Sequence, residues 1–404
     1  MESMVEVEKV MKEIRESAKV IRFEMSKGVV KNKVSLDLHS CLGPLTGVGN
    51  YTFELAKRLH SGNRIEYQGN VFNHFRDYDT ELLKKNLSYK LSESVFIPQG
   101  AIDKLPAWFP FGYSDVFGRS DITHFFQYVV PPKVKGKIVN TIYDMVLMRF
   151  PETMEKGNYE VMKNRLFSSI ERSNRLITIS EFSKREIIEL TGYPKEKIDI
   201  VYPAASISNT CADRKVVLEK YNITKPFLLF VGSIEPRKNL ERLIQAFCKF
   251  KSGGGYDGQL VLCGASGWKN ERIHEAAETS PYSHDIIFTG YVTVEERNAL
   301  YKNASAFVFP SIYEGFGIPP LEAMYWGCPV ICSNAASLPE VGGDSVCYVD
   351  PYSEEDIAEG IDRVLNDREY EKKLVISGKE QCRKFSWDTS AKALEAVYCK
   401  MCVE

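Results

Sequence analysis

From the run "KVSLDLHS" at Lys33 onward, short β-branched stretches alternate with stretches of helical period. That alternation predicts βα units and a largely parallel sheet. The expected strands are Val34–Leu38, Ile65–Phe72, Asp121–Phe126, Lys137–Ile142, Arg175–Ser180 and Lys197–Tyr202, with helices near Tyr51–Leu59, Tyr159–Arg172 and Ser183–Leu190. The pattern then restarts after a polar connection at Ser206–Lys215, with strands at Phe227–Gly232, Gln259–Cys263, Asp285–Thr289, Ser305–Phe309 and Pro329–Cys332. Two consecutive series predict an α/β protein of two Rossmann-like domains facing across a cleft. The expected bounds are 31–205, joined by a crossover helix at 387–404, and 206–386. Ahead of both, Val7, Met11, Ile14, Ala18, Ile21 and Met25 repeat at steps of four and three, predicting an amphipathic helix within residues 1–30. Its six basic and six acidic residues balance, which favours packing on protein over an anionic membrane and leaves self-association through this helix open.

At 404 residues the chain exceeds what one hydrophobic core ordinarily supports, in keeping with two domains. The 52 basic and 54 acidic residues give a net charge of -2, which argues against nucleic acid as a partner. Ten scattered cysteines and no secretory signal predict a reducing, cytoplasmic setting. The pair Cys399 and Cys402 has no second pair or nearby His to complete a zinc site, and no metal is expected. No apolar run approaches the roughly 18 residues of a membrane span, so any membrane contact would be peripheral.

In such sheets ligands sit beyond the carboxyl ends of the strands, so the βα junctions hold the candidate chemistry. The first, "HSCLGPLTGVGNY", carries Gly47, Val48 and Gly49 as a tight turn or a phosphate-approach loop. It departs from the dinucleotide fingerprint, for Thr52 stands where a third Gly is needed. The second, "VGSIEPRKNLERL", ends its strand at Gly232 and offers Asn239 as an N-cap, with Arg237 and Lys238 just before it. Cations opposed by the positive end of a helix dipole suit a bound phosphate; the alternative is a solvated basic loop. The third, "SIYEGFGIPPLEAM", sets Glu314 in a loop, Pro319 and Pro320 at the first helical positions, and Glu322 in the first turn. Ionised carboxylates only accept hydrogen bonds, so hydroxyls of a sugar or ribose are their natural donors beside a phosphate. A glycosidase acid/base pair is the rival reading, and a hydrolase would not need the phosphate site.

These residues resemble the family-4 retaining glycosyltransferases of GT-B fold, whose signature is a pair of glutamates separated by seven residues, here Glu314-GFGIPPL-Glu322. The likeness continues through "LITISEFSKREI", "KIDIVYPAAS", "FLLFVGSIEPRKNLERLIQAF" and "PVICSNAASLPEVGGDSVCYVDP". It implies that Glu314 contacts the donor sugar, Glu322 the ribose, and Arg237 with Lys238 the diphosphate. Backbone N–H groups of Phe316, Gly317 and Ile318, and those around Gly47, would meet sugar and phosphate oxygens, with Tyr291 and Val292 walling the base. The implied activity is metal-independent hexosyl transfer with retention, with no cofactor beyond the nucleotide-sugar substrate. The donor is expected to be GDP-mannose or a UDP-sugar and the acceptor a glycan or glycolipid, with mannose favoured by the segment around Glu314.

One departure stands out. Many relatives carry a His before the acidic residue in "TIYDM", where Tyr143 precedes Asp144 here, so either the phenol substitutes for imidazole or the donor differs at C6. His124 is a candidate for the cleft or a core histidine, and Trp108 in "LPAWFPFGY" a candidate for the acceptor side or for core packing. A nucleotide-sugar epimerase of the same fold and a non-catalytic glycan- or partner-binding subunit remain the rival functions.

Overall fold

The computed structural model describes residues 31–43, 45–103, 110–153, 156–206, 210–254 and 256–403. The proposed N-terminal helix and Trp108 lie outside them. Thirteen strands among the described residues form two sheets. The first contains β1 (Asn32–Asp37), β2 (Ile65–Phe72), β3 (Lys90–Ser94), β4 (Ile122–Phe125), β5 (Lys137–Thr141), β6 (Arg175–Thr178) and β7 (Ile198–Ile200), in the order β3-β2-β1-β4-β5-β6-β7. The second contains β8 (Phe227–Val231), β9 (Gln259–Cys263), β10 (Ile286–Gly290), β11 (Ala306–Phe309), β12 (Val330–Ser333) and β13 (Cys347–Val349), in the order β10-β9-β8-β11-β12-β13. The pairings β1 with β2, β8 with β9 and β8 with β11 are parallel, as the βα alternation predicts.

Helices of eight or more residues among those described are α1 (Gly47–Ala56), α2 (Lys156–Arg172), α3 (Glu181–Thr191), α4 (Leu240–Ser252), α5 (Glu271–Glu278), α6 (Val294–Asn303), α7 (Ile318–Tyr325), α8 (Glu354–Asn366), α9 (Arg368–Cys382) and α10 (Trp387–Val403). None of them is long and apolar enough to cross a membrane. The described residues fall into two compact units: one takes those up to His124 with Pro132–Lys137 and those from Glu395, and the other takes those of Phe125–Pro131 and Ile138–Leu394.

The core of the second unit follows from its sequence. All five residues of "FLLFV" in β8 are buried, as expected of a central parallel strand covered on both faces. Helix α4, which follows it in the chain, buries Leu240, Leu243, Ile244 and Phe247 at helical spacing. The second sheet winds outward in both directions from β8 and β11, so its switch point lies between them, where open α/β sheets bind ligands.

Several local expectations are revised. The sequence reading omits β3 and β13: β3 is a polar, half-exposed stretch, "KLSES", and β13 has only three residues. Helix α1 starts at Gly47, capped by Thr46 Oγ1 accepting from Gly49 N–H, so the glycines form its first turn instead of a preceding loop. Gly49 is required there because a Cβ would lie 2.5 Å from the Ser40 carbonyl oxygen. Asn239 holds the N-cap position of α4 without capping it. It takes left-handed φ 61° and sends Nδ2 to the carbonyls of Pro310 (3.1 Å) and Pro351 (2.6 Å).

Gly264, which follows β9, sits so close to the end of β8 that a Cβ would overlap the Gly232 carbonyl oxygen. Gly264→Ala must displace backbone at the sheet's carboxyl edge. It should lower stability by roughly 2–4 kcal/mol, read as a fall in the urea midpoint, and an unchanged midpoint would contradict this packing.

Candidate functional site

The two strands at the switch point each release a loop that ends in a helix. After β8 come Gly232 and a short turn, Pro236–Lys238, which leads into α4. After β11 the chain runs through Pro310–Gly317 into α7. Arg237 fastens the two loops together: its carbonyl accepts from Ile312 N–H at 3.0 Å and its Nη1 donates to the Tyr313 carbonyl at 2.7 Å.

That register brings Arg237, Lys238 and Glu314 into one cluster. Lys238 Nζ lies 2.6 Å from Glu314 Oε1, and Arg237 Nη1 lies 2.9 Å from Oε2. Arg237 also pairs with Glu235 at 2.7 Å. Glu314 and Lys238 are 8% and 7% exposed, so these charges have largely given up water and depend on one another. Burial by itself would hinder ionisation of Glu314, but Arg237 and Lys238 outweigh it and hold the carboxyl at about 2. Burial and the neighbouring Arg237 charge push the Lys238 ammonium below its ordinary value, with Glu314 opposing them. Two cations facing two carboxylates form a nearly neutral cluster beside the positive end of α7.

Three serines set the backbone of the Glu314 loop. Ser337 Oγ lies 2.8 Å from the Glu314 carbonyl and 2.7 Å from that of Phe316, while Ser180 and Ser183 reach the Gly315 carbonyl at 2.7 and 3.2 Å. With three successive carbonyls tied down, the orientations of the intervening peptide planes are fixed. Gly317 then adopts φ 117°, where a Cβ would fall 2.7 Å from Leu338 Cδ2. At the start of α7 Pro319 and Pro320 carry no N–H, so the N–H groups left without intrahelical acceptors are those of Gly317 and Ile318. They suit an anion or sugar oxygens.

Glu322 stands elsewhere than expected. Because α7 begins at Ile318, this residue falls beyond the first turn, buried against α6. It accepts from Tyr301 Oη at 3.1 Å and pairs with Arg297 at 3.0 Å. Burial raises its pKa, opposed by Arg297 and the Tyr301 hydrogen bond. The sequence reading misses Arg297 and Tyr301; their spacing of four on "VEERNALYKN" places both on one helical face.

A second buried group supports the Glu314 loop. Tyr313 Oη accepts from Met145 N–H at 3.0 Å and donates to the Glu186 carboxylate, which Arg149 Nε holds at 2.6 Å. Its ring packs against Phe150 and Phe182 at 5.3 and 5.5 Å. Next to Met145, Asp144 accepts from Tyr128 Oη and Val146 N–H, both at 3.1 Å; burial raises its pKa while Arg237 opposes that. Gly315 passes so near this loop that a Cβ would lie 2.8 Å from the Tyr143 carbonyl oxygen. Glu340 accepts from Glu181 N–H and Tyr202 Oη, both at 2.8 Å, capping α3 from a distant part of the chain.

Tyr143 is buried and its hydroxyl donates to the Phe126 carbonyl at 3.0 Å. Gly290 and Tyr291, the latter 81% exposed, close β10, and Val292 is buried behind them. His124 lies in the core of the first unit, 2.5 Å from Tyr398 Oη, and burial lowers its pKa to about 3. Among the described residues no group of three or more His, Cys, Asp or Glu is placed to hold a metal ion.

Comparison with known proteins bears on this geometry. A family model described as glycosyl transferases group 1 matches residues 213–381, which include both loops. The O-antigen chain mannosyltransferase B of Escherichia coli is 32% identical over 363 residues, covering 85% of this chain and 93% of that protein. Sucrose-phosphate synthase from Thermosynechococcus elongatus superposes with a TM-score of 0.70 at 18% identity, covering 92% of this chain and 100% of that one. HepE of Anabaena, solved with UDP and glucose, gives 0.69 at 15% identity over 91% and 100%. At these identities the structural likeness concerns the fold alone.

Two predictions follow from the geometry. Tyr313→Phe keeps the ring but removes the partner of Met145 N–H and of Glu186 Oε2, Arg149 still holding Oε1; stability should fall by about 1–3 kcal/mol, measured by urea denaturation. The acid limb is the second. The Glu314 carboxyl at about 2 lies below the ordinary 4.5, so its contribution is complete above 4.5 and declines as pH falls towards 2. Glu322, shifted upward, acts in the opposite sense. Glu314→Gln should therefore flatten the loss of stability between those pH values, and an unaltered acid limb would refute the assignment.

Proposed function

We propose that this chain, which belongs to the glycosyl transferases of group 1, transfers a mannosyl group from a nucleotide-activated donor to a hydroxyl of a growing polysaccharide. The observation that carries the site assignment is the buried cluster of Arg237, Lys238 and Glu314 at the switch point of the second sheet. Mannose as the sugar and a polysaccharide as the acceptor are supported by the likeness to the Escherichia coli O-antigen mannosyltransferase. The UDP and glucose of the Anabaena complex suit a nucleotide-sugar donor in a protein of this fold.

In this reading the donor diphosphate binds Arg237 and Lys238, together with the N–H groups of Gly317 and Ile318. Glu314 then accepts from hydroxyls of the sugar, exchanging part of its hold on the cations. Preorganised cations stabilise the charge that develops on the leaving diphosphate, and the buried surroundings strengthen that effect. Glu322 receives the ribose hydroxyls while Arg297 and Tyr301 keep it oriented, and Tyr291 with Val292 borders the base. No side chain is assigned as a nucleophile. Transfer proceeds with retention by attack from the face the diphosphate leaves, a phosphate oxygen taking the acceptor proton. Neither a metal nor a cofactor is assigned a step. With its proton given to the Phe126 carbonyl, the Tyr143 hydroxyl can still accept from a hydroxyl at the donor's C6 position.

The test is nucleoside-diphosphate release over a panel of GDP- and UDP-sugars with mannoside acceptors, combined with mass and anomeric analysis of the product. GDP-mannose should support turnover and the product linkage should be α. Lys238→Ala and Glu314→Ala should each lower kcat/KM by roughly a hundredfold or more, the size expected when a buried charge loses its partner or a transition-state contact is removed. Near-wild-type rates in both variants would refute the site.

A further inference from the structure

In the first sheet the switch point lies between β1 and β4. The loops that leave β1 and β2 carry His39 and His74, two imidazoles with no part in the donor site. The His39 ring sits edge-on to Phe72, at 6.5 Å between centroids, and is hydrogen-bonded to the Phe72 backbone. Its Nδ1 is buried without a partner among the described residues. Donation to the Phe72 carbonyl uses the Nε2 proton, so Nδ1 carries the lone pair and acts as an acceptor. Burial lowers the pKa of the ring, opposed by the bond to Phe72. His74 Nδ1 is likewise buried and without a partner, and its ring lies 4.0 Å from that of Phe75.

Phe75 itself is anomalous. It adopts φ 48° and ψ 17°, a left-handed conformation that is an outlier for a bulky side chain, while its side chain is 74% exposed. Burial therefore does not account for it. The surrounding loop enforces the conformation: Phe75 N–H donates to the Val95 carbonyl at 2.9 Å, and Asn73 Nδ2 donates to the Tyr78 carbonyl at 3.0 Å and to Glu93 at 3.1 Å. Gly43, at φ 73°, brings the loop after β1 against this one, for a Cβ there would lie 3.2 Å from the Tyr78 ring. Strain upheld by a defined hydrogen-bond frame, ending in an exposed aromatic, is characteristic of a binding surface.

We propose that these two loops form a saccharide subsite for the acceptor, in which the C–H face of a sugar ring stacks on Phe75 and its hydroxyls donate to Nδ1 of His39 and His74. This assignment rests on the glycosyl-transfer reading above. Both imidazole rings are only half-buried, so a small turn of each ring presents its nitrogen to a hydroxyl. An anionic lipid surface fits less well. The segment from His74 to Phe96 holds four basic and four acidic residues, whereas such a surface calls for a basic excess, and lipid tails supply no donor to a buried nitrogen.

The experiment uses the full chain with GDP-mannose as donor and octyl α-D-mannopyranoside as acceptor. Phe75→Gly removes the stacking ring and relieves the backbone, so its melting temperature should equal or exceed that of the wild type. Its KM for the octyl mannoside should rise about tenfold, as for loss of one stacked ring, with KM for GDP-mannose unchanged. Phe75→Trp should restore the acceptor KM, and His74→Ala should raise it at an unchanged donor KM. An acceptor KM within twofold of wild type in Phe75→Gly overturns the subsite while leaving the transferase reading intact. Loss of binding to phosphatidylglycerol vesicles in that variant, without a change in acceptor KM, also overturns it and assigns the surface to the membrane. Absence of nucleoside-diphosphate release with every donor and acceptor overturns the transferase reading, and this proposal with it.

Discussion

The placement of Glu314 between Lys238 and Arg237 is the constraint from which the rest of the site follows. None of these groups would be stable alone where it lies, because a buried charge without a partner costs several kcal/mol. Their mutual attraction requires the loop after β8 and the loop after β11 to keep one register, and the backbone bond between Ile312 and Arg237 supplies it. The parallel pairing of β8 with β11 places both loops at the same edge of the sheet. Topology brings the chain segments together, and the ion pairs then select their conformation.

The support extends well beyond the three charged residues. Tyr313 carries the influence of Glu186 and Arg149 to the residue beside Glu314, and Glu340 ties the start of α3 to the turn that also supplies Ser337. The Tyr313–Glu186 and Glu181–Glu340 bonds join positions 127 and 159 residues apart. Such an assembly holds its polar groups in place before any ligand arrives, which is what electrostatic stabilisation of a leaving group demands.

The sequence made some of this legible. Strands Ile65–Phe72 and Gln259–Cys263 have the bounds their hydrophobic pattern predicts, since the period of a buried strand is a local property. Glu314, Arg237 and Lys238 could be named because each sits at a βα junction, where topology puts ligands. Their direct pairing was not legible, as it depends on contacts between residues 76 and 77 positions apart. Asn239 shows the same limit at close range. It is a favourable N-cap residue by type, yet the carbonyls of Pro310 and Pro351 claim its side chain. Arg297 and Tyr301 read as ordinary helix-surface residues until the fold lays Glu322 against them.

The serine hydroxyls on the carbonyls of Glu314, Gly315 and Phe316 have a consequence for divergence within such enzymes. Because these carbonyls are held by serines outside the loop, the peptide planes between Glu314 and Gly317 do not rest on the loop's ion pairs alone. Under the proposed donor binding, a substitution at a position such as Ile318 would reshape what a sugar meets without disturbing the part that would grip phosphate. A lineage could thus change the hexose it handles while its nucleotide handling stays the same, the two traits being inherited separately in one short loop.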